Sequence, residues 1–210
     1  MVRDVFKTGG WAMSGFFCAC ALVPAQRQQQ SASQSTETGL APVSGQATPY
    51  LIRRLPVSSF PELPAEVQVV LNRRGCLIPQ TYEAHHPENV VHARLEQAGS
   101  SDWAVLCSVQ GTVSLLVFFT NESSVGSGRP VMLASASETE RLQPHGPSGI
   151  LGFNWGIDAA TPGEVHEAQA GLEPRPPWLD HDALADSVVD HRTVYHFYAK
   201  RAWTLVEMPE

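Results

Sequence analysis

No stretch of this chain is both long and apolar enough to cross a bilayer as a helix. The longest uncharged apolar run, from Trp11 to Val23, falls short of the roughly 20 residues that a spanning helix needs. Basic charge is also scarce, with 14 Lys and Arg against 21 Asp and Glu and a formal charge of −7. The longest basic clusters are the pairs Arg53-Arg54, Arg73-Arg74 and Lys200-Arg201. That balance argues against nucleic acid as a partner, because phosphate binding draws on a basic patch. Cysteine is limited to four residues. Motifs that announce a reaction are missing as well. There is no P-loop, no G-x-G-x-x-G and no S-x-x-K. His145-Gly-Pro-Ser148-Gly149 resembles a nucleophile elbow, but position 150 is Ile150 where that motif needs glycine. No pattern here calls for a cofactor.

The start of the chain reads as an export signal. Arg3 and Lys7 precede the apolar run, and Val23-Pro24-Ala25 supplies small residues at its end. This is the order of a cleavable signal peptide, expected over residues 1–25. A lipid anchor on Cys20 is the competing reading. Ala19 suits the position before a lipidated cysteine, whereas Phe17 and Cys18 do not suit theirs. From Gln26 to about Thr48 the chain is rich in Gln, Ser and Thr and has no sustained apolar period. Such a segment cannot bury enough apolar surface to offset its ordering entropy, so residues 26–50 are expected to be a disordered spacer.

Residues 51–210 then form a single globular domain, long enough to bury one core. Two cysteines, Cys18 and Cys20, fall in the signal, which leaves Cys76 and Cys107. An even pair in an oxidising compartment reads as a disulfide.

Periodicity supplies the elements. Leu63, Val67, Val70 and Leu71 make one apolar stripe of a helix that opens near Pro64 and stops at Gly75. Cys76 therefore lies just past a helix end. The period then drops to two. Strands are expected over Asn89–Glu96, Trp103–Val109, Thr112–Thr120 and Val131–Ser135, forming a meander. Gly149–Gly156 reads as a short strand or a packed loop, and Asp180–Val189 as a short helix. Thr193–Ala199 and Trp203–Glu207 form a terminal hairpin through Lys200-Arg201. The class is α+β, an antiparallel sheet with one main helix packed on it.

The run Asp102-Trp-Ala-Val-Leu-Cys107, a short turn and Ser114-Leu-Leu-Val-Phe118 resembles the strand pair of FG-GAP or VCBS-type exported bacterial proteins. The hairpin from Val194 to Trp203 is similar to the ends of uncharacterised proteins of that kind. The calcium loop of those proteins does not carry over, since Gln97-Ala-Gly-Ser-Ser-Asp102 keeps a single Asp. No internal repeat is present, which excludes a propeller.

The sharpest chemical cluster is Asp180, His181 and Asp182, with Asp186, Asp190 and His191 following. Imidazole and carboxylate together can bind a divalent metal or move a proton. On a helix, Asp182, Asp186 and Asp190 would share a face. A solvated, acid-rich segment explains the same residues, so no metal site and no catalytic residue is assigned to them. His85-His86 and the carboxylates of Glu164-Val-His-Glu167 are weaker versions of the same idea. Trp155, Trp178, Tyr195, Tyr198 and Trp203 serve either a core or a stacking face. The expectation is an exported, periplasmic or secreted, non-catalytic domain that binds an unknown protein or cell-envelope ligand. The alternative is a metal-dependent or acid–base hydrolase using the Asp180–His191 region.

Overall fold

Alternation along one buried strand organises the domain. In Asp102–Val109 every residue but the last is buried. Trp103, Val105 and Cys107 point to one side, Ala104 and Leu106 to the other. A strand covered on both faces must lie between two layers, and four layers result.

The computed structural model describes residues 34–43, 45–120, 129–189 and 193–207. The expected signal peptide at 1–25, with Cys20, lies outside the described residues. So do Asp190 and His191. No helix among the described residues is long and apolar enough to cross a membrane.

The first sheet comprises β1 (Ser35–Val43), β2 (Gln46–Pro56), β3 (Leu77–Gln80), β4 (Val90–Ala93), β5 (Asp102–Val109), β6 (Thr112–Phe118), β7 (Val131–Ser137), β8 (Leu142–His145) and β9 (Ile150–Phe153). Its order is β7-β6-β5-β3-β2-β9-β8, with β1 added to β2 and β4 to β5. All its pairings are antiparallel except β2 with β9, at Tyr50↔Leu151 and Leu51↔Gly152. The second sheet is an antiparallel meander of β10 (Trp155–Ala160), β11 (Ala183–Val188), β12 (Thr193–Ala199) and β13 (Ala202–Glu207). Two α-helices are described, α1 (Ala65–Arg74) and α2 (Pro162–Ala168). The α+β class and the β-dominated architecture hold.

Between the sheets, Ala104 and Leu106 meet Phe153, Trp155, Ile157 and Leu184. On the far face of the first sheet, α1 buries Val67 and Leu71 with Phe60 and Leu63 against Trp103, Val105 and Phe118. On the far face of the second sheet, Val165 and Ala168 of α2 pack on Ala183, Phe197 and Val206. The α1 stripe is the one expected from its spacing. Gly75 closes that helix at φ +74°, donating to the carbonyls of Asn72 and Leu71, a left-handed cap that suits glycine.

Cys76 follows that cap and is bonded to Cys107 of β5, with Cα atoms 5.2 Å apart. The bond staples the end of α1 to the middle of the first sheet. It closes a loop of sequence separation 31. Replacing both cysteines with alanine should lower unfolding free energy by about 3–4 kcal/mol, from chain entropy. A loss below about 1 kcal/mol in urea melts would contradict that role.

Two expectations need correcting. The segment 35–50 is not part of a spacer but an edge hairpin, β1 paired to β2 from Ser35↔Arg54 to Val43↔Gln46. Only Ala41 of β1 is buried, so backbone pairing rather than apolar burial holds the strand. That is why composition alone reads it as unstructured. The second correction is Ala183–Val188, a strand rather than a helix. Residues four apart share a face in both structures, so the acidic spacing does not separate them. Consecutive burial of Ala183, Leu184 and Ala185, between α2 and the main core, decides for the strand.

Candidate functional site

The loop after α2 and the tip of the β12–β13 hairpin enclose a groove of about 770 Å³. Pro176, Pro177, Trp178 and Leu179 form one wall, and Phe197, Ala199 and Thr204 lie on the facing hairpin. Glu96 and Gln97, Asp180 and His181, and Lys200 and Arg201 supply polar and charged groups around it.

The local reasons for this shape are visible in the sequence. Thr161 and Glu164 form a reciprocal capping box, with Pro162 in the first turn, so α2 starts sharply. Glu164 thus caps a helix, and its carboxyl is held below the ordinary range by hydrogen bonds from Thr161. Ring stacking holds the wall: Trp178 lies on His166 of α2, with centroids 4.1 Å apart and planes 26° from parallel. Trp178 is nevertheless 63% exposed. The hairpin tip is a two-residue turn in which Lys200 and Arg201 both have positive φ, 53° and 63°. Neither residue has a hydrogen-bond or ion-pair partner among the described residues.

The predicted Asp/His cluster is divided. Asp180 and His181 line the groove. His181 is buried, with Nδ1 2.7 Å from Asp180 Oδ1 and Nε2 2.8 Å from the Tyr198 carbonyl oxygen. Both ring nitrogens thus face acceptors supplied by the protein itself. The His181 hydrogen bond holds the exposed Asp180 carboxyl below its usual range. Asp182 turns away. Its Oδ1 accepts from Arg94 Nη2 at 2.8 Å, and its Oδ2 accepts from Arg94 Nε and the Arg94 backbone N–H, both at 3.1 Å. Asp186 lies deeper, accepting from Trp155 Nε1 at 2.6 Å and meeting His196 Nε2 at 3.0 Å. His85 and His86 are exposed in a different loop. No group of three or more His, Cys, Asp or Glu able to hold a metal occurs among the described residues.

The aromatic set divides too. Trp155 is fully buried beneath the Arg141 guanidinium, 4.1 Å from the ring centroid. Tyr198 and Trp203 pack with Phe119. Tyr195 packs beneath α2. Trp178 alone of the five is left as an exposed platform. Sequence reasoning did not bring Pro176-Pro177, Phe197 and the Lys200-Arg201 turn together with it. The available signal was a turn lacking the usual Asn or Gly.

The Arg94 guanidinium hydrogen bond holds the Asp182 carboxyl below the ordinary carboxylate range. A carboxylate whose folded pKa lies below its unfolded value adds stability that is complete above the unfolded pKa, near 4. That stability is lost as pH falls through the folded value. Between neutral pH and pH about 3, the wild type should lose about 1 kcal/mol more than Asp182→Asn, a modest figure because Arg94 is half exposed. Identical pH slopes in urea melts would contradict the pairing. No family model, curated protein or solved structure matches this chain.

Proposed function

We propose that this chain is an exported, non-catalytic domain that binds a protein or cell-envelope partner through the groove beside Trp178. One observation carries the reading. The groove offers an exposed indole held in place from behind and two cations that have no partner among the described residues, while its imidazole is engaged at both nitrogens by the protein's own oxygens. Such a site is prepared to recognise a ligand, and its acid–base groups are occupied in holding the wall. Export accords with the basic, apolar and small-residue order of residues 1–25 and with the Cys76–Cys107 bond. The resemblance of the Asp102–Phe118 strand pair to exported FG-GAP or VCBS-type proteins supports the same location.

The test is affinity capture from the native envelope fraction with wild type and Trp178→Ala. Capture of a defined partner that the variant loses is the expected result. Equal capture by both would contradict the groove as the binding site. The hydrolase reading keeps one observation in its favour, that Asp180 and His181 share the groove. It requires hydrolysis of the captured partner by wild type and none by Asp180→Asn.

A further inference from the structure

We infer that a second copy of this chain pairs with β13, edge to edge and antiparallel, so that the domain forms a two-fold homodimer. The surface lies beside the groove, and the inference does not depend on what the groove binds.

β13 is the last strand of its sheet, and no strand among the described residues pairs with its outer edge. In a hairpin with a two-residue turn, the residues flanking the turn exchange main-chain bonds, and the pattern then alternates. Ala202, Thr204 and Val206 therefore spend their N–H and C=O groups on β12, opposite Ala199, Phe197 and Tyr195. The main-chain groups of Trp203 and Leu205 point outward. Such an edge is complementary to the main chain of another strand. Elsewhere the outer strands carry safeguards against that pairing. β4 and β8 are four residues long, β1 contains Pro42, β10 carries the charge of Asp158, and β7 pairs irregularly at Leu115 and Leu116. β13 has no proline, pairs with β12 without a register shift, and has no charge before Glu207. It also leaves Leu205, an apolar side chain on an open edge, 61% exposed.

The sequence of the strand selects a second copy as its occupant. Antiparallel pairing about a two-fold axis at Thr204 sets each residue against a complementary one. Thr204 faces its own copy, Trp203 faces Leu205, Ala202 faces Val206, and Arg201 faces Glu207. Hydroxyl pairs, aromatic residues beside aliphatic ones, and opposite charges are the cross-strand neighbours that stabilise antiparallel sheets. The same register sets the outward main-chain groups of Trp203 against those of Leu205, so each copy supplies the donors and acceptors that the other lacks. A seam this short lies at the small end of protein interfaces, and its Kd is expected on the order of 10 µM.

Pairing would extend the four-stranded sheet to twice its width. The axis stands perpendicular to that sheet, so both grooves open on the same side of it. Thr204, which lines the groove, lies at the seam between them. On the reading of the groove as a binding site, a repetitive ligand then meets two grooves at once.

Sedimentation equilibrium of the full chain from about 1 to about 300 µM spans the expected Kd. Wild type should pass from monomer to dimer, and Leu205→Lys should weaken the dimer about tenfold, because the side chain occurs twice in the seam. Thr204→Cys tests the register. Facing residues of this kind have Cα atoms about 4.5 Å apart, within reach of a disulfide. The variant should form a cross-linked dimer under mild oxidation. Leu205→Cys should not, since its two copies lie about 8 Å apart. A wild type that stays monomeric, a dimer indifferent to Leu205→Lys, or cross-linking by Leu205→Cys as readily as by Thr204→Cys would each overturn the inference. None of these results bears on capture through Trp178, so the binding-site reading stands or falls separately.

Discussion

Asp102→Ala is expected to cost about 5 kcal/mol, the largest loss from a single side chain in this domain, because it strands several buried donors at once. Asp102 has no exposed surface. Its Oδ2 accepts from the backbone N–H groups of Leu95 and Glu96, both at 2.9 Å, and from the Ser100 hydroxyl. Its Oδ1 accepts from the Thr120 N–H at 3.0 Å. One carboxylate therefore closes the 95–101 loop and pins the end of β6 beside it. Hydrogen bonds to a charged group are worth about 1.5–3 kcal/mol each, and water entering the cavity returns part of the sum. Asp102→Asn should lose about half as much, since an amide keeps one accepting oxygen and sets an NH2 against the remaining donors. The same loop carries Glu96 and Gln97 into the groove, so binding should weaken in both variants even where they stay folded. Urea unfolding checks the order Ala, then Asn, then wild type. A loss below about 1 kcal/mol for Asp102→Ala would contradict the assignment.

Glu138→Ala is expected to cost about 4 kcal/mol, because it leaves the Arg54 guanidinium buried without its main partner. Arg54 Nε donates to Glu138 Oε1 at 2.6 Å, and Nη2 donates to Oε2 in a short, two-pronged pair. Ser108 Oγ donates to the same carboxylate at 2.7 Å. The network joins β2, β5 and the turn after β7. Glu37 on β1 also accepts from Arg54 Nη2, at 2.7 Å, but its side chain is half exposed and cannot replace the buried partner. Glu138 and then Glu37 hold the Arg54 pKa above its ordinary value, so the guanidinium stays charged. The double variant Arg54→Met/Glu138→Leu should recover most of the loss, since the penalty arises from one unpaired charge rather than from the absence of an ion pair. If the double variant is as unstable as the single, the unpaired-charge explanation is wrong.

Neither Asp102 nor the Arg54–Glu138 pair stands out in the sequence as a structural centre. Asp102 reads as a turn residue before a strand, and Arg54 as half of a solvated basic pair. Their partners lie up to 84 positions away, beyond the reach of local patterns. What periodicity does reveal is short-range or repeated: the α1 stripe, the Gly75 stop, the two-faced burial of β5 and β6, and the terminal hairpin. The Cys76–Cys107 bond was legible because a single pair remained once Cys18 and Cys20 were assigned to the signal. The β1–β2 hairpin was not, because an edge strand held by main-chain bonds needs few apolar residues. Asp180 and His181 were singled out by composition, yet the sequence does not show that His181 spends both nitrogens on Asp180 and Tyr198. The groove itself depends on two segments that are not neighbours in sequence, Pro176–Trp178 and Phe197–Thr204, and on the Glu96–Gln97 loop that Asp102 holds beside them.

Hydrogen–deuterium exchange of the full chain, alone and saturated with its captured partner, tests the central claim most directly. The account predicts slowed exchange across residues 176–181 and 197–204, with little change in α1 or at the β1–β2 hairpin. Protection confined to another surface, with the groove exchanging as fast as in the free chain, would contradict it.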